Sequence, residues 1–375
     1  MKYYIVAGEA SGDLHASNLL KEIKKSDADA VFRGWGGDKM KQQGTAIVKH
    51  YRDLAFMGFV EVVANLKTIV RNLSLCKKDI LQFKPDVVIL VDYPGFNLRI
   101  AEFLKQNNIK TFYYISPQIW AWKQSRVHQI KRDVDRMFAI LPFEKDFYKR
   151  FNMEVDFVGH PLLDAIDQFT TERLNNKVEF RTENNLSDKK LVALLPGSRK
   201  MEIEKMLPVM LQVAKQNPNF EFVIAGAPSI STDFYKQYSG ENIKIIIGNS
   251  YGLLMNAHAA LVTSGTATLE TALFKVPQIV CYKGNALSYQ IARRLVKVKY
   301  ISLVNLILDK PAVKELIQGD MNANELNKEF LKIAVETTER QQILSDYETL
   351  VNKLGNSGAS ARTAQLMLNH LNNKN

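Results

Sequence analysis

Short runs of apolar residues alternate with amphipathic stretches along the first half of the chain. The runs are rich in β-branched and aromatic residues and are bounded by Pro, Asp or Gly, which is typical of buried strands. The stretches between them carry apolar residues three and four positions apart, which predicts helices. The predicted strands cover residues 3–7, 86–91, 111–115 and 136–141, and the predicted helices include 14–25 and 98–106.

The same alternation restarts in the second half of the chain. It predicts strands over residues 191–195, 221–225, 243–247, 259–263 and 278–282, with a helix over 202–216. Strands that alternate with helices form parallel sheets, so the pattern predicts two similar α/β domains. Their ligand site is expected in the cleft, at the carboxyl ends of both sheets.

Polar residues interrupt this rhythm over 170–187, which predicts a linker between the two domains. After about residue 325 the pattern is polar and helical to the end. We therefore expect a first domain over residues 1–175 and a second over 176–344. Helices from about 345–375 are expected to pack back on the first domain.

The composition narrows the choice of partners. The chain has 375 residues, enough for two domains, and its formal net charge of +11 favours anionic partners. Its basic residues are scattered, so nucleic acid is not expected as a partner. The two cysteines, Cys76 and Cys281, lack the spacing of a metal site or a disulfide framework. The N-terminus begins as a strand rather than a signal peptide, and no run of about 18 apolar residues occurs, so any membrane contact is expected to be peripheral.

Two turns of the first domain carry candidate chemistry. Residues 8–13 (GEASGD) follow the first strand, and their small side chains allow backbone N–H groups to approach an anionic ligand. The same residues suit a tight turn in which Ser11 or Asp13 caps the following helix. Asp92 stands where strand 86–91 ends, a position that suits a general base, although an aspartate there also caps helices.

A third segment of this domain, residues 116–122 (SPQIWAW), places two tryptophans after a strand. Trp120 and Trp122 suit the wall of a site for a sugar ring or an acyl chain. A hydrophobic plug that closes the loop against the domain fits the same residues.

The second domain contains two turns that are typical of phosphate sites. Gly197 and Ser198 follow strand 191–195 and offer backbone donors, and Arg199 is able to make paired bonds to phosphate oxygens. The second turn, residues 263–270 (TSGTATLE), opens a helix with hydroxyl groups and a glycine, which suits a diphosphate.

Glu270 lies about one turn into that helix, where it is placed to accept hydrogen bonds from ribose hydroxyls. A capping box with Ala267 at the cap is the alternative interpretation. It fits poorly because alanine has no side-chain acceptor.

Three further segments bear on a metal site or on membrane contact. Asp133-Val134-Asp135 matches a DxD metal motif, but Arg132 and Arg136 flank it, which favours ion pairs over a metal site. Residues 54–63 are densely apolar and are followed by basic positions, and 291–299 mixes apolar and basic residues. Both stretches suit an interfacial helix, and both also suit a buried core helix.

Seven segments together resemble the lipid-A-disaccharide synthase family. They are residues 8–13, 34–37 (GWGG), 57–58 (MG), 116–122, 196–199 (PGSR), 263–270 and 302–305 (SLVN). The resemblance runs in order from about residue 3 to residue 318. It implies an inverting glycosyltransferase of the GT-B fold, with two Rossmann-like parallel-sheet domains and a cleft between them. The implied donor is UDP-2,3-diacylglucosamine, the implied acceptor is 2,3-diacylglucosamine 1-phosphate (lipid X), and no metal or cofactor is implied.

The resemblance also implies roles for individual residues. Asp92 matches the general base. The substrate-binding positions of the first domain are Glu9, Ser11, Asp13, Met57, Gln118 and Trp120. The nucleotide-binding positions are Gly197, Ser198, Arg199, Ser264, Gly265, Thr266, Glu270, Asn305 and Gln318. The chain departs from the family pattern at Val304, where a proline is expected, and at Gly95, where an acidic residue is frequent.

The implied substrates also predict where in the cell the protein acts. Both substrates carry acyl chains and phosphate, so the protein is expected in the cytoplasm, bound peripherally to the cytoplasmic face of the inner membrane. A homodimer is compatible with the sequence.

Overall fold

The computed structural model describes residues 1–54, 66–173, 177–240, 243–285, 289 and 298–372. The chain divides into two compact units. The first unit contains Met1–Asp164 and Asn356–Asn375, and the second contains Ala165–Gly355. Each unit is built on its own parallel sheet.

The first unit has a seven-stranded sheet in the order β3-β2-β1-β4-β5-β6-β7. Its strands are β1 Lys2–Ala7, β2 Val31–Gly36, β3 Ala46–His50, β4 Val87–Val91, β5 Thr111–Tyr114, β6 Arg136–Ala139 and β7 Asp156–Phe157. Its helices are α1 Ala10–Ser26, α2 Asp38–Gln42, α3 Leu66–Phe83, α4 Pro94–Gln106, α5 Ile119–Trp122, α6 Arg126–Asp133 and α7 Glu144–Lys149, with α8 Pro161–Arg173 running into the second unit.

The core of this unit lies around β1 and β4, which are neighbours in the middle of the sheet. Every residue of β4 is buried, as expected for an uninterrupted β-branched run in a parallel sheet. Tyr3 and Tyr4 of β1 are also buried, and their hydroxyls donate to Asp27 and Asp79 at 2.8 Å each. These bonds satisfy polar groups that burial would otherwise leave unpaired.

The second unit has a six-stranded sheet in the order β10-β9-β8-β11-β12-β13. Its strands are β8 Lys190–Leu195, β9 Phe220–Gly226, β10 Lys244–Ile247, β11 Ala259–Thr263, β12 Gln278–Tyr282 and β13 Lys314–Ile317. Its helices are α9 Lys177–Glu183, α10 Lys200–Gln216, α11 Thr232–Ser239, α12 Ser250–Asn256, α13 Thr266–Leu273, α14 Leu303–Leu308, α15 Ala323–Ala334 and α16 Thr338–Leu354. The last helix, α17 Ala359–Asn372, belongs to the first unit and packs against α1.

The predicted strands are confirmed in both sheets to within about two residues at each end. The pattern missed β2, β3, β7 and β13. In β2, Arg33 and Gly34 interrupt the apolar residues. At Gly34 an added Cβ would lie 1.9 Å from the Ile5 carbonyl oxygen, so the close approach of β1 requires glycine.

The described residues of the segment 170–187, which the sequence predicts to be a linker, are largely helical. Helix α8 continues to Arg173, and α9 follows over Lys177–Glu183. One large apolar residue anchors α9, since Phe180 is buried in the cluster that contains Leu253 and Leu254. Within the described ranges, no helix is both long enough and apolar enough to cross a membrane.

Candidate active site

Three loops of the first unit lie at one edge of its sheet. Strand β4 pairs with β1 on one side and with β5 on the other, and all three strands run parallel. The segments 8–13, 92–97 and 116–122 follow the carboxyl ends of these strands, so the sheet brings together the three loops that the sequence singled out.

The backbone of Asp92 is held in an unusual conformation. Asp92 and Tyr93 have φ values of 46° and 50°, in the left-handed region that non-glycine residues rarely adopt. The Asp92 carbonyl accepts hydrogen bonds from Asn97 Nδ2 at 2.7 Å and from the Tyr113 hydroxyl at 2.6 Å. Its N–H donates to the Tyr114 carbonyl at 3.1 Å. Backbone strain of this kind persists where surrounding bonds fix it, and it clusters at functional sites.

The capping alternative for Asp92 does not apply. Helix α4 begins at Pro94 with Tyr93 as its N-cap residue, and no side-chain hydrogen bond caps it. The Asp92 carboxylate is partly buried beside Glu9. Burial raises the pKa of Asp92 to about 7, the negative charge of Glu9 adds to the effect, and a hydrogen bond from the Tyr93 backbone opposes it. A carboxylate with a pKa near neutrality is suited to accept a proton.

Glu9 comes from the turn after β1. It is the N-cap residue of α1, but its side chain makes no capping hydrogen bond, and neither Ser11 nor Asp13 is the cap. The two turns are in contact, because a Cβ at Gly8 would lie 2.3 Å from the Tyr93 ring. Glycine at this position allows the aromatic ring to approach the turn.

The two remaining candidates of this turn differ in environment. Ser11 is exposed in the first turn of α1. Asp13 is buried, and its carboxylate accepts backbone N–H bonds from Gly37 at 2.7 Å and from Lys39 and Met40 at 3.1 Å each. These bonds satisfy the first N–H groups of α2, so Asp13 fixes the start of that helix.

The tryptophan loop combines a buried and an exposed ring. Trp120 is buried and packs edge-on against Phe143, with ring centroids 4.9 Å apart, as the plug interpretation expects. Trp122 is 50% exposed, and the Lys123 ammonium lies 4.3 Å from its ring centroid. Gln118 is exposed between these rings and β5.

A buried carboxylate that no sequence pattern indicated follows β6. Glu144 is fully buried and accepts backbone N–H bonds from Ile140 at 3.1 Å and Leu141 at 2.9 Å. Burial raises its pKa to about 7, which the hydrogen bonds from the Leu141 and Ile140 backbone partly oppose. An acidic residue in the first turn of a short helix gave no sequence signal of burial.

The two predicted phosphate turns lie side by side in the second unit, since β8 pairs with β11. In the first turn, Glu202 accepts backbone N–H bonds from Ser198 at 3.1 Å and Arg199 at 3.3 Å. The Arg199 guanidinium contacts the other oxygen of this carboxylate at 3.3 Å. The backbone N–H groups of Ser198 and Arg199 therefore already donate to a carboxylate oxygen of the protein, Glu202 Oε2.

Within the described residues, no side chain caps the start of α13. Gly265 is the N-cap residue, which excludes Ala267, and the helix begins at Thr266. Ser264 donates its hydroxyl to the Ile301 carbonyl at 2.8 Å. Glu270 accepts the Tyr251 hydroxyl at 3.0 Å, and burial raises its pKa.

Asn305 and Gln318 have contrasting surroundings. The buried Asn305 amide donates to the Val313 carbonyl and to Glu315 at 2.9 Å each, and it accepts the Val313 N–H at 2.9 Å. These bonds hold the segment before β13. Gln318 follows β13 with a φ of 54°, and its buried Nε2 has no hydrogen-bond partner among the described residues. A donor in that state is open to a ligand.

Some candidates lie elsewhere. Met57 and the apolar residues around it, like most of 291–299, are outside the described residues. In the DxD motif, Asp133 pairs with Arg132 at 2.7 Å, and Asp135 accepts the Thr111 N–H at 2.8 Å. Within the described ranges, no group of three or more His, Cys, Asp or Glu side chains is arranged to hold a metal ion.

Solved structures share this architecture. The UDP-GlcNAc 2-epimerase from Neisseria meningitidis, bound to UDP-GlcNAc, is similar with a TM-score of 0.71 and 14% identity, covering 98% of this chain and 100% of that chain. The glycotransferase of kitacinnamycin is similar with a TM-score of 0.65 and 12% identity, covering 99% of each chain. At these identities the likeness shows the fold alone. Two parallel Rossmann-like sheets in this arrangement define the GT-B fold.

Sequence relatives supply the rest of the identification. A family model described as lipid-A-disaccharide synthetase matches residues 3–369. The lipid-A-disaccharide synthase of Syntrophus aciditrophicus is 41% identical over 97% of this chain and 96% of that protein. The corresponding enzyme of Psychromonas ingrahamii is 39% identical over 99% and 98%. The fold and these relatives define a GT-B glycosyltransferase. The chain belongs to the lipid-A-disaccharide synthetase family.

Proposed function

We propose that the chain transfers 2,3-diacylglucosamine from UDP-2,3-diacylglucosamine to the 6-hydroxyl of lipid X. The products are the β-1,6-linked disaccharide 1-phosphate and UDP. Family membership supports this reaction. The structural observation that carries it is the partly buried Asp92 carboxylate, which a hydrogen-bonded backbone holds at the carboxyl end of β4.

Asp92 acts as the general base in this proposal. The acceptor 6-hydroxyl oxygen attacks the anomeric carbon of the donor, and Asp92 takes the hydroxyl proton. Because the pKa of Asp92 is about 7, about half of the carboxylates are ionised at neutral pH. A positioned base contributes roughly 10²–10⁴ in rate. Displacement from the face opposite the leaving group inverts the anomeric configuration.

Arg199 and the start of α13 stabilise the leaving group. The bond from the anomeric carbon to the UDP oxygen breaks, and UDP keeps the electron pair. The uncapped N–H groups after Gly265 and the Arg199 guanidinium offer donors for this developing charge. Glu202 now accepts from the Ser198 and Arg199 N–H groups, so we expect it to be displaced when the diphosphate binds.

Other polar groups of the second unit orient the nucleotide in this proposal. Glu270 accepts ribose hydroxyls in place of the Tyr251 hydroxyl, and the unpaired Gln318 amide donates to the nucleotide. Asn305 acts through its bonds around β13, because its amide is already fully paired. In the first unit, Glu9, Ser11 and the loop from Gln118 to Trp120 contact the sugars.

The experiment is a direct assay. The protein is incubated with UDP-2,3-diacylglucosamine and lipid X, and the product is identified by mass spectrometry and its linkage by NMR. We expect a disaccharide monophosphate with a β-1,6 linkage. Binding of both substrates without any disaccharide would contradict the proposed function and would favour a carrier of acyl-phosphosugars.

We also propose that the protein works on the cytoplasmic face of the inner membrane. Helix α3 exposes apolar side chains beside basic ones, with Val70 63% and Leu75 43% exposed near Lys67, Arg71 and Lys78. A basic residue near an anionic leaflet adds about 1 kcal/mol to binding. Lys67→Gln should therefore weaken flotation with anionic liposomes about fivefold, whereas Lys21→Gln on the exposed face of α1 is the control. Equal binding to neutral and anionic liposomes would contradict the proposal.

A further inference from the structure

A cavity of about 480 Å³ lies in the first unit, directly beside the loop of the general base. Its wall includes Tyr93, which follows Asp92 in sequence, and Pro94 and Gly95 at the start of α4. Arg99 on α4 and Arg126 on α6 also line it. This volume is within the range of small-molecule sites and exceeds what a single phosphate group needs.

The two arginines carry charge that the protein does not neutralise. Neither guanidinium makes an ion pair or hydrogen bond within the part of the chain that the structure describes. Arg126 is half-buried, whereas Arg99 is exposed at the rim of the cavity. By contrast, the nearby Arg132 is paired with Asp133 at 2.7 Å. Among the described residues that line the cavity, Glu102 is the one carboxylate, and it is exposed with Arg132 3.4 Å away. Half-buried cations without a partner are uncommon unless a ligand supplies the anion.

A third cation adds to this positive region. Lys123 lies at the start of the turn that leads into α6, and its carbonyl accepts the Arg126 N–H at 3.0 Å. Burial and the charge of Arg126 lower the pKa of Lys123. Burial holds the pKa of Tyr113 well above its usual range, and the charge of Arg126 opposes this rise. The Tyr113 hydroxyl bonds to the Asp92 carbonyl. The positive region therefore adjoins the residues that hold the general base.

We infer that this cavity binds the phosphate group of the acceptor, through Arg99 and Arg126. The inference rests on the proposed function, in which the acceptor is a sugar 1-phosphate. The attacking 6-hydroxyl and the 1-phosphate belong to the same pyranose ring, so a phosphate pocket must lie within one sugar's width of Asp92. Arginine suits this role because its planar donors match phosphate oxygens in pairs.

The test compares the acceptor with and without its phosphate. The variants are Arg126→Met, Arg99→Met and the double variant, and the control is Arg136→Met. Arg136 is exposed at the amino-terminal end of β6, whereas the cavity residues Tyr93, Pro94 and Gly95 follow the carboxyl end of β4. For each protein we measure KM and kcat with lipid X, and the inhibition constant of 2,3-diacylglucosamine, which lacks the phosphate. UDP affinity and thermal stability check that each variant is folded.

A charged hydrogen bond lost from each arginine should raise KM for lipid X at least about tenfold, and the double variant should lose more. We expect kcat, UDP affinity and the inhibition constant of 2,3-diacylglucosamine to stay within about twofold of wild type. An unchanged KM, or a parallel rise of KM and the inhibition constant, would overturn the inference. If wild-type protein makes no disaccharide from lipid X, the proposed function itself has failed.

Discussion

Asp92→Asn should remove activity and increase stability at the same time. Asparagine has nearly the same shape and tolerates the left-handed conformation that Asp92 adopts at φ 46°, so the backbone is expected to stay in place. The amide cannot accept the acceptor's proton. Turnover should therefore fall at least about a hundredfold, with UDP-sugar binding retained.

The stability gain follows from the pKa of the carboxyl. Burial raises the pKa of Asp92 from 3.8 to about 7, so the folded state resists ionisation that the unfolded chain allows. Stability is therefore greatest below the unfolded pKa and falls as pH rises through the folded one. The ionised carboxylate costs at most about 4 kcal/mol at pH 8 and about 2 kcal/mol at pH 5, and partial solvent access reduces both values.

The assay is chemical denaturation of both proteins at pH 8 and pH 5, together with turnover by mass spectrometry. Asp92→Asn should be more stable than wild type at pH 8, and the difference should shrink at pH 5 as the wild-type carboxyl becomes protonated. A gain of equal size at both pH values would show that charge burial is not the cause. Near-wild-type turnover would remove Asp92 as the base.

Three further predictions concern the same sites. The kcat/KM of the wild type should fall as pH decreases through about 7. Glu9→Gln should move this acidic limb of the pH profile to lower pH, because the Glu9 charge raises the pKa of Asp92. An unchanged acidic limb would mean that the two carboxylates do not interact. Arg199→Met should weaken UDP binding by about tenfold or more, and calorimetry that finds unchanged affinity would refute its phosphate role. Asn97→Ala removes the amide bonded to the Asp92 carbonyl and should lower kcat more than it changes KM, at a stability cost of about 1–3 kcal/mol; a KM effect alone would point to substrate contact instead.

Much of the fold was predictable because buried parallel strands are continuous apolar runs. Strands β11 and β12 were predicted to the residue. The failures have local causes. Strand β2 was not predicted because Gly34 interrupts its apolar residues, at the point where its backbone approaches Ile5. Helix α9 was not predicted because its composition is polar, although Phe180 packs into the core of the second unit.

Those candidate residues were predictable from the sequence that lie directly after a strand or before a helix. A carboxylate after a buried strand and glycine turns before helices are local features, and the sheet order brings them to common edges. Contacts between distant segments were not predictable. Nothing in the sequence indicates that Asp13 bonds to the start of α2, that Glu202 lies among the donors of its own turn, or that Arg99 and Arg126 share a cavity.

The position of α17 has a consequence for how the chain is connected. The first unit is completed by residues from both ends of the sequence, so the second unit is an insertion within it. Asp164 is the last residue of the first segment of this unit. Its carboxylate accepts the N–H groups of Ala359 at 3.1 Å and Ser360 at 2.9 Å, at the start of the last helix. The two chain segments that connect the first unit to the second are therefore held together at Asp164. Removal of residues 356–375 would therefore take from α1 the helix that packs against it and from Asp164 the N–H groups that it accepts.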